Sequence, residues 1–193
     1  MNYLAHLFLS CDDDDLMIGN FIADSIRNKE VANFSEGIQQ GILLHRKIDS
    51  FTDNHPIVRQ ATRRLYPHHH KYAPVVIDVF FDNLLANNWQ LYASETLPDF
   101  AKRMYAILTK RQLDLPLKMQ KYVPNMVAND WLQKYGTTDG LQYTFERMDK
   151  RTKFKSNFVN AVSHLQADYD LYEEEFNLFF PDVMEMAVDF CGS

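Results

Sequence analysis

The chain has few cysteines, no long apolar run and no surplus of positive charge, and each shortage removes a class of protein. Of 193 residues only two are cysteine, Cys11 and Cys191. Two thiols near opposite ends make neither a disulfide framework nor a closed cysteine–zinc site, so they are read as free thiols in a reducing compartment. No stretch approaches the roughly 20 apolar residues that a bilayer crossing requires, so no membrane association is expected. The opening MNYLAHLFLSCDDDD has no basic residue before its short apolar run and four acids straight after it. It reads as a buried segment entering a loop, not as an export signal, and a cytoplasmic location is expected. Acids outnumber Lys plus Arg by 26 to 20, a formal charge of -6, which argues against nucleic acid as a partner.

Also missing are a linker rich in Gly, Ser or Pro, an internal repeat and an alternating strand pattern. What is present is helical periodicity along nearly the whole chain. It predicts helices over 2–9, 14–28, Ser35 to Pro56, 56–66, 73–92 and 98–109. A linker and a helix after Pro124 follow, then a helix over 138–150 capped by Thr138 or Asp139. The longest predicted helix, 155–180, stops at Pro181 before a short terminal one. Fourteen Phe and ten Tyr supply core volume, and the expected fold is one all-α domain, a single-domain helical bundle over 1–193.

Three helices carry ionisable groups in apolar company. In GILLHRKIDSFTDNHP the series Ile38, Ile42, His45, Asp49, Thr52 lies on one stripe, with Asp53 beside it, because residues three or four apart stack on a helix. The stripe borders the apolar row Leu44, Ile48, Phe51 instead of opposing it, as a cleft wall would. Two readings stand: the imidazole and carboxylates converge on a divalent ion, or His45 and Asp49 pair with each other or with Arg46 and Lys47 at a wet surface. In VVIDVFFDNLL, Asp78 and Asp82 are one turn apart among aliphatic and aromatic residues. Such acids need a partner, which a metal, a neighbouring helix terminus or an arginine would supply. In MIGNFIADSIRN, Gly19 and Asn20 suggest a close approach or a bend, and Asp24 follows an apolar turn. His6 is embedded in NYLAHLFL, where a histidine is commonly a satisfied core residue. His55 and His68 to His70 sit near helix ends and are read as mainly exposed. An oxygen-rich set with one or two histidines suits Mn, Mg or Fe.

MNYLAHLFLS, GNFIADSIR, GILLHRKIDSFTDNHP, PVVIDVFFDNLLANNW and FERMDKR occur in this order along the chain, and together they resemble the bacterial acyl carrier protein phosphodiesterases. The resemblance spans nearly the whole sequence. It implies a helical hydrolase distantly related to the HD metal-dependent phosphohydrolases, although the chain contains no adjacent His-Asp pair. It further implies hydrolysis of holo acyl carrier protein to release 4'-phosphopantetheine, with manganese as the usual metal and magnesium or iron as other options. On the same basis Asp24, His45, Asp49 and Asp78 are placed as metal ligands. His6, Asp53 and Asp82 are placed beside the ion or as alternate ligands, with Asp53 or Asp82 orienting water or carrying its proton. Arg46 and Arg151 are placed at the phosphate. Two basic sets, Arg59, Arg63 and Arg64, and Lys150, Arg151, Lys153 and Lys155, offer either a docking face for an acidic carrier or a solubilising surface. The alternatives are a helical phosphohydrolase of nucleotides or other small phosphodiesters, and a noncatalytic helical interaction protein. The sequence leaves the oligomeric state open.

Overall fold

Helix α5 (Ala73–Asn87) forms the middle of the molecule. Its buried residues include Val76, Ile77, Val79, Phe80, Phe81, Leu84 and Leu85, too many for one apolar stripe, so the helix is covered on several sides. The computed structural model describes residues 1–192.

Before α5 come α1 (Tyr3–Phe8), α2 (Asp14–Ile22), α3 (Glu36–Asn54) and α4 (Pro56–His69). After it come α6 (Trp89–Tyr92), α7 (Leu97–Lys110), α8 (Leu117–Gln120), α9 (Val123–Ala128) and α10 (Trp131–Lys134). The chain closes with α11 (Thr138–Asp149), α12 (Ala161–Ala167) and α13 (Tyr169–Cys191). Short 3₁₀ turns join several of these, and no strand occurs among the described residues. Pro56, Pro74, Pro98 and Pro124 each sit in the first turn of a helix, where the missing N–H is not needed.

Aromatic packing joins α5 to α13. Phe81 lies 5.4 Å from both Phe176 and Phe179, and Phe80 lies 5.4 Å edge-on from Tyr172. Each fully buried ring contributes about 1.5–3 kcal/mol by leaving water. Arg64 of α4 reaches across to Glu175 of α13 with a bond of 2.7 Å and stacks on Tyr172 at 4.6 Å. Arg64 is therefore engaged inside the fold and is not part of a free basic face.

The closest helix approach is between α2 and α3. A Cβ on Gly19 would lie 2.1 Å from the Ile38 carbonyl oxygen, and one on Gly41 would lie 2.3 Å from that of Leu16. The two glycines face each other, so backbone meets backbone. Gly19 thus marks a tight approach, and it brings the next residue, Asn20, against His45.

Several sequence expectations are corrected. Helix α2 ends at Ile22, and the 3₁₀ turns Ala23–Ser25 and Asn28–Asn33 replace the remainder of the expected 14–28 helix. Helix α4 runs through Pro67 to His69. The long C-terminal helix breaks at Asp168, not at Pro181, which is carried inside α13. The cap of α11 is Thr137, whose hydroxyl accepts from Gly140 N–H at 3.1 Å. His69 is buried: its Nδ1–H donates to the Ser156 carbonyl at 3.1 Å, and its Nε2 faces His164 Nδ1 at 2.9 Å. His55 is half-buried beside Asp182. The two cysteines are not free: Cys11 and Cys191 form a disulfide across a separation of 180 residues. The loop after α1 and the end of α13 come together only in the folded chain, which sequence spacing does not register.

Candidate metal centre

The site grows from α1, which is anchored by an acid on another helix. Asp82 of α5 is fully buried, and its carboxylate accepts from the backbone N–H groups of Asn2 at 3.1 Å, Leu4 at 2.8 Å and Ala5 at 3.2 Å. Those are the donors that a helix start leaves without partners. Burial pushes the Asp82 carboxyl up to about 7, while the three N–H groups pull the other way. Asp82 therefore sets the position of α1, and with it His6.

His6 and His45 stack with ring centroids 4.0 Å apart and planes 14° from parallel. Asn20 holds both rings. Its Nδ2 donates to the His6 carbonyl at 2.7 Å and to Ser10 Oγ at 3.1 Å, which fixes the amide orientation. Its Oδ1 then accepts from His6 Nδ1–H at 2.8 Å, and its backbone carbonyl accepts from His45 Nδ1–H at 2.9 Å. With hydrogen on Nδ1, each neutral ring carries its lone pair on Nε2.

Both Nε2 atoms face carboxylates. His6 Nε2 is 3.1 Å from Asp49 Oδ1, His45 Nε2 is 3.1 Å from Asp49 Oδ2, and His45 Nε2 is also 3.2 Å from Asp24 Oδ1. His6 Nε2 is buried without a hydrogen-bond partner despite its nearness to Asp49. A lone pair facing a carboxylate oxygen needs a proton or a cation between them. His6, His45 and Asp49 offer ligand atoms within 4.8 Å of one another, and the two nitrogens plus a carboxylate suit a divalent ion such as manganese or iron. The residues fit the metal that the resemblance implies.

The electrostatics divide the two histidines. Burial lowers the pKa of His6, with the neighbouring His45 acting in the same direction. Burial also opposes charge on His45, but Asp24 and Asp49 outweigh it and raise its pKa to about 9. Burial alone would raise the Asp49 carboxyl, yet the facing His45 holds it well below the usual carboxylate range. Asp24 is exposed, and its bond to His45 lowers it as well.

The other expected site residues are placed differently. Asp78 accepts from the Met1 α-amine at 2.8 Å, and that amine also lies 3.8 Å from Asp49. Burial works against the amine's charge, but Asp78 and Asp49 overcome it and hold its pKa up to about 10. Asp78 thus reaches the centre through a cation rather than through the imidazoles. Asp53 lies with Asp78, Arg59 and Arg63 around a neighbouring cavity, and burial together with Asp78 pushes its carboxyl upward. Arg46 donates to Asn28 Oδ1 at 2.8 Å on the 3₁₀ turn. Thr52, the last member of the stripe, is buried and bonded back to the Ile48 carbonyl at 2.8 Å. Arg151 lines a cavity that also includes Asp24.

Asn20 and the Met1 amine are parts of the site that the sequence reading did not assign. An amide inside the apolar run MIGNFI was the available signal for Asn20, but its partners lie on other helices.

An all-α fold with stacked imidazoles and carboxylates between helices defines a helical protein with a candidate metal-binding site. The chain belongs to the acyl carrier protein phosphodiesterase family, whose model matches residues 1–183. Three relatives bear the same name, acyl carrier protein phosphodiesterase. The one from Serratia proteamaculans is 28% identical over 190 residues, covering 98% of both chains. Those from Yersinia pestis and an Enterobacter species are 28% and 30% identical over 188 residues, with 97% of each chain covered. No solved structure matches the chain. No helix among the described residues is long and apolar enough to cross a membrane.

Proposed function

We propose that this chain hydrolyses the phosphodiester between 4'-phosphopantetheine and the serine of holo acyl carrier protein, using a divalent metal held by His6, His45 and Asp49. Water adds to phosphorus and the bond to the serine oxygen breaks, giving apo carrier and free 4'-phosphopantetheine. The observation that carries this reading is the convergence of the His6 and His45 Nε2 atoms on Asp49, each at 3.1 Å, in a chain of this family.

When bound, the ion supplies a water of lowered pKa and a positive charge for the phosphoryl oxygens. We assign manganese to it. Asn20 keeps both imidazoles in the ligating tautomer, a task that usually falls to the hydrogen-bond partners of metal-bound histidines. Asp24, beside His45 and open to solvent, is placed to orient water or to take its proton. The buried Met1 amine offsets the charge of Asp78 and Asp49, so negative charge at the centre is limited before substrate arrives. Arg59 and Arg63 border the cavity on the Asp53 and Asp78 side and face the carrier in this reading, with the carrier's acidic surface as their complement. The proposed substrate places the chain in the cytoplasm.

Phosphopantetheine release from purified holo carrier tests the reading. Release by the metal-loaded protein, its loss on chelation and its return with manganese are expected. Full activity after exhaustive chelation would remove the metal from the mechanism. Hydrolysis of nucleotides without carrier turnover would replace the substrate.

A further inference from the structure

On the Asp24 side of the centre, a cavity of about 220 Å³ is walled by Tyr3, Tyr122 and Trp131 and edged by Arg147 and Arg151. Trp131 stands edge-on to Tyr122 at 4.7 Å and 82°, and Tyr3 is 6.2 Å from Tyr122. The Arg147 guanidinium lies 3.9 Å from the Trp131 ring centre and 5.5 Å from that of Tyr143. Arg151 lies 5.9 Å from the ring centre of Tyr122. Among the described residues no acidic side chain forms an ion pair with either arginine, and the buried Trp131 Nε1–H has no acceptor.

Aromatic faces beside donors without acceptors match a slender chain that carries amide carbonyls. Ring faces pack along its methylene and amide units, while guanidinium and indole N–H groups donate to its oxygens. The cavity is below the roughly 300–1,000 Å³ usual for drug-sized ligands, so it suits a thread more than a bulky ring system. Its shared wall, Asp24, is 3.2 Å from His45, so a chain lying in it would present one end at the metal centre. A folded carrier protein is too large to enter.

We infer that this cavity holds the pantetheine arm of the substrate, with its phosphate end toward Asp24 and His45 and its amide chain along Tyr122 and Trp131. The inference rests on the proposed carrier hydrolysis and adds the residues that select the arm. Arg147 and Trp131 act in substrate binding and not in the bond-breaking step.

The test uses the full chain and two variants, Trp131→Ala and Arg147→Met, the second keeping most of the side-chain volume. Calorimetry with 4'-phosphopantetheine, pantetheine and inorganic phosphate gives binding, and holo carrier gives KM and kcat. Both variants are expected to weaken 4'-phosphopantetheine and pantetheine binding by about tenfold and to raise KM for holo carrier by a similar factor, with a smaller change in kcat. Circular dichroism establishes that each variant is folded. If Trp131→Ala does not fold, Arg147→Met decides alone. Wild-type turnover with KM unmoved in the folded variants would overturn the inference and leave the proposed function standing. Inorganic phosphate competing as strongly as the arm would reduce the cavity to an anion site and also overturn it. Arm binding lost in the variants, without carrier hydrolysis by the wild type, would uphold the cavity and remove the hydrolytic reading.

Discussion

His6 of α1 and His45 of α3 stack at 4.0 Å, and one asparagine, Asn20 of α2, takes the Nδ1 hydrogen of each. Three helices therefore decide which nitrogen of each ring is open. That arrangement turns two histidines 39 positions apart into a matched pair of imidazoles, and under the proposed function it makes Asn20 as consequential as the groups that would touch the ion.

Replacing Asn20 with Leu keeps its volume and removes the acceptor. Manganese affinity is expected to fall about 10- to 100-fold, the usual effect of losing a partner of a ligating histidine. Isothermal titration with manganese measures this, and wild-type affinity in the folded variant would show that Asn20 does not set the tautomers.

Metal binding should depend on pH through His45. Its pKa is raised from 6.5 to about 9, so at neutral pH the metal-free protein keeps a proton that ligation must remove. Affinity is expected to rise about tenfold per pH unit from pH 7 and to level off above about 9, with about one proton released per ion. His6, whose pKa is lowered, adds no second proton. The sign for folding of the metal-free protein is opposite: the contribution of protonated His45 is complete below about pH 6.5 and is lost as pH rises through about 9. Calorimetry in buffers of different ionisation enthalpy counts the protons, and a pH-independent affinity would refute the assignment.

Gly19→Ala should be strongly destabilising. The added methyl would meet the Ile38 backbone oxygen at 2.1 Å, and no rotamer change can relieve a contact with backbone, so α2 and α3 must separate. A loss of about 3 kcal/mol, the upper end of ordinary overpacking, is expected in urea unfolding. Because Asn20 moves with α2, manganese affinity should fall as well. A change below about 1 kcal/mol would mean that the helices part easily.

Arg64→Ala should unfold the protein more readily without acting at the metal. It leaves Glu175, only 6% exposed, without its guanidinium partner. A cost of about 3 kcal/mol is expected, since removing one member of a buried pair strands the other charge. Thermal or urea denaturation measures it. Arg64→Ala in company with Glu175→Leu should recover most of the loss.

Arg63→Glu tests carrier docking. Arg63 borders the cavity that contains Asp53 and Asp78. Charge reversal is expected to raise KM for intact holo carrier by about tenfold and to leave hydrolysis of a small phosphodiester nearly unchanged. Equal losses on both substrates would place Arg63 outside carrier recognition.

The sequence by itself determined the helices and the side chains that share each helical face. Periodicity marked α1, α3 and the body of α5 but ran α12 and the first half of α13 together, and four-residue spacing placed His45 and Asp49 together. It also singled out Asp24 and His6 as unusual polar groups in apolar segments. Partner choice needed the tertiary structure, because a buried polar group is satisfied by whichever element packs against it. Asp82 met the start of α1, Asp78 met the Met1 amine, Arg64 met Glu175, and Arg46 met Asn28. The same packing joined Cys11 to Cys191 and set Arg147 on Trp131 beside Asp24. Helical spacing reports a residue's neighbours one turn away, whereas a candidate site drawn from α1 and α3, with Asp24 beside it on the turn after α2, depends on how helices distant in sequence cross.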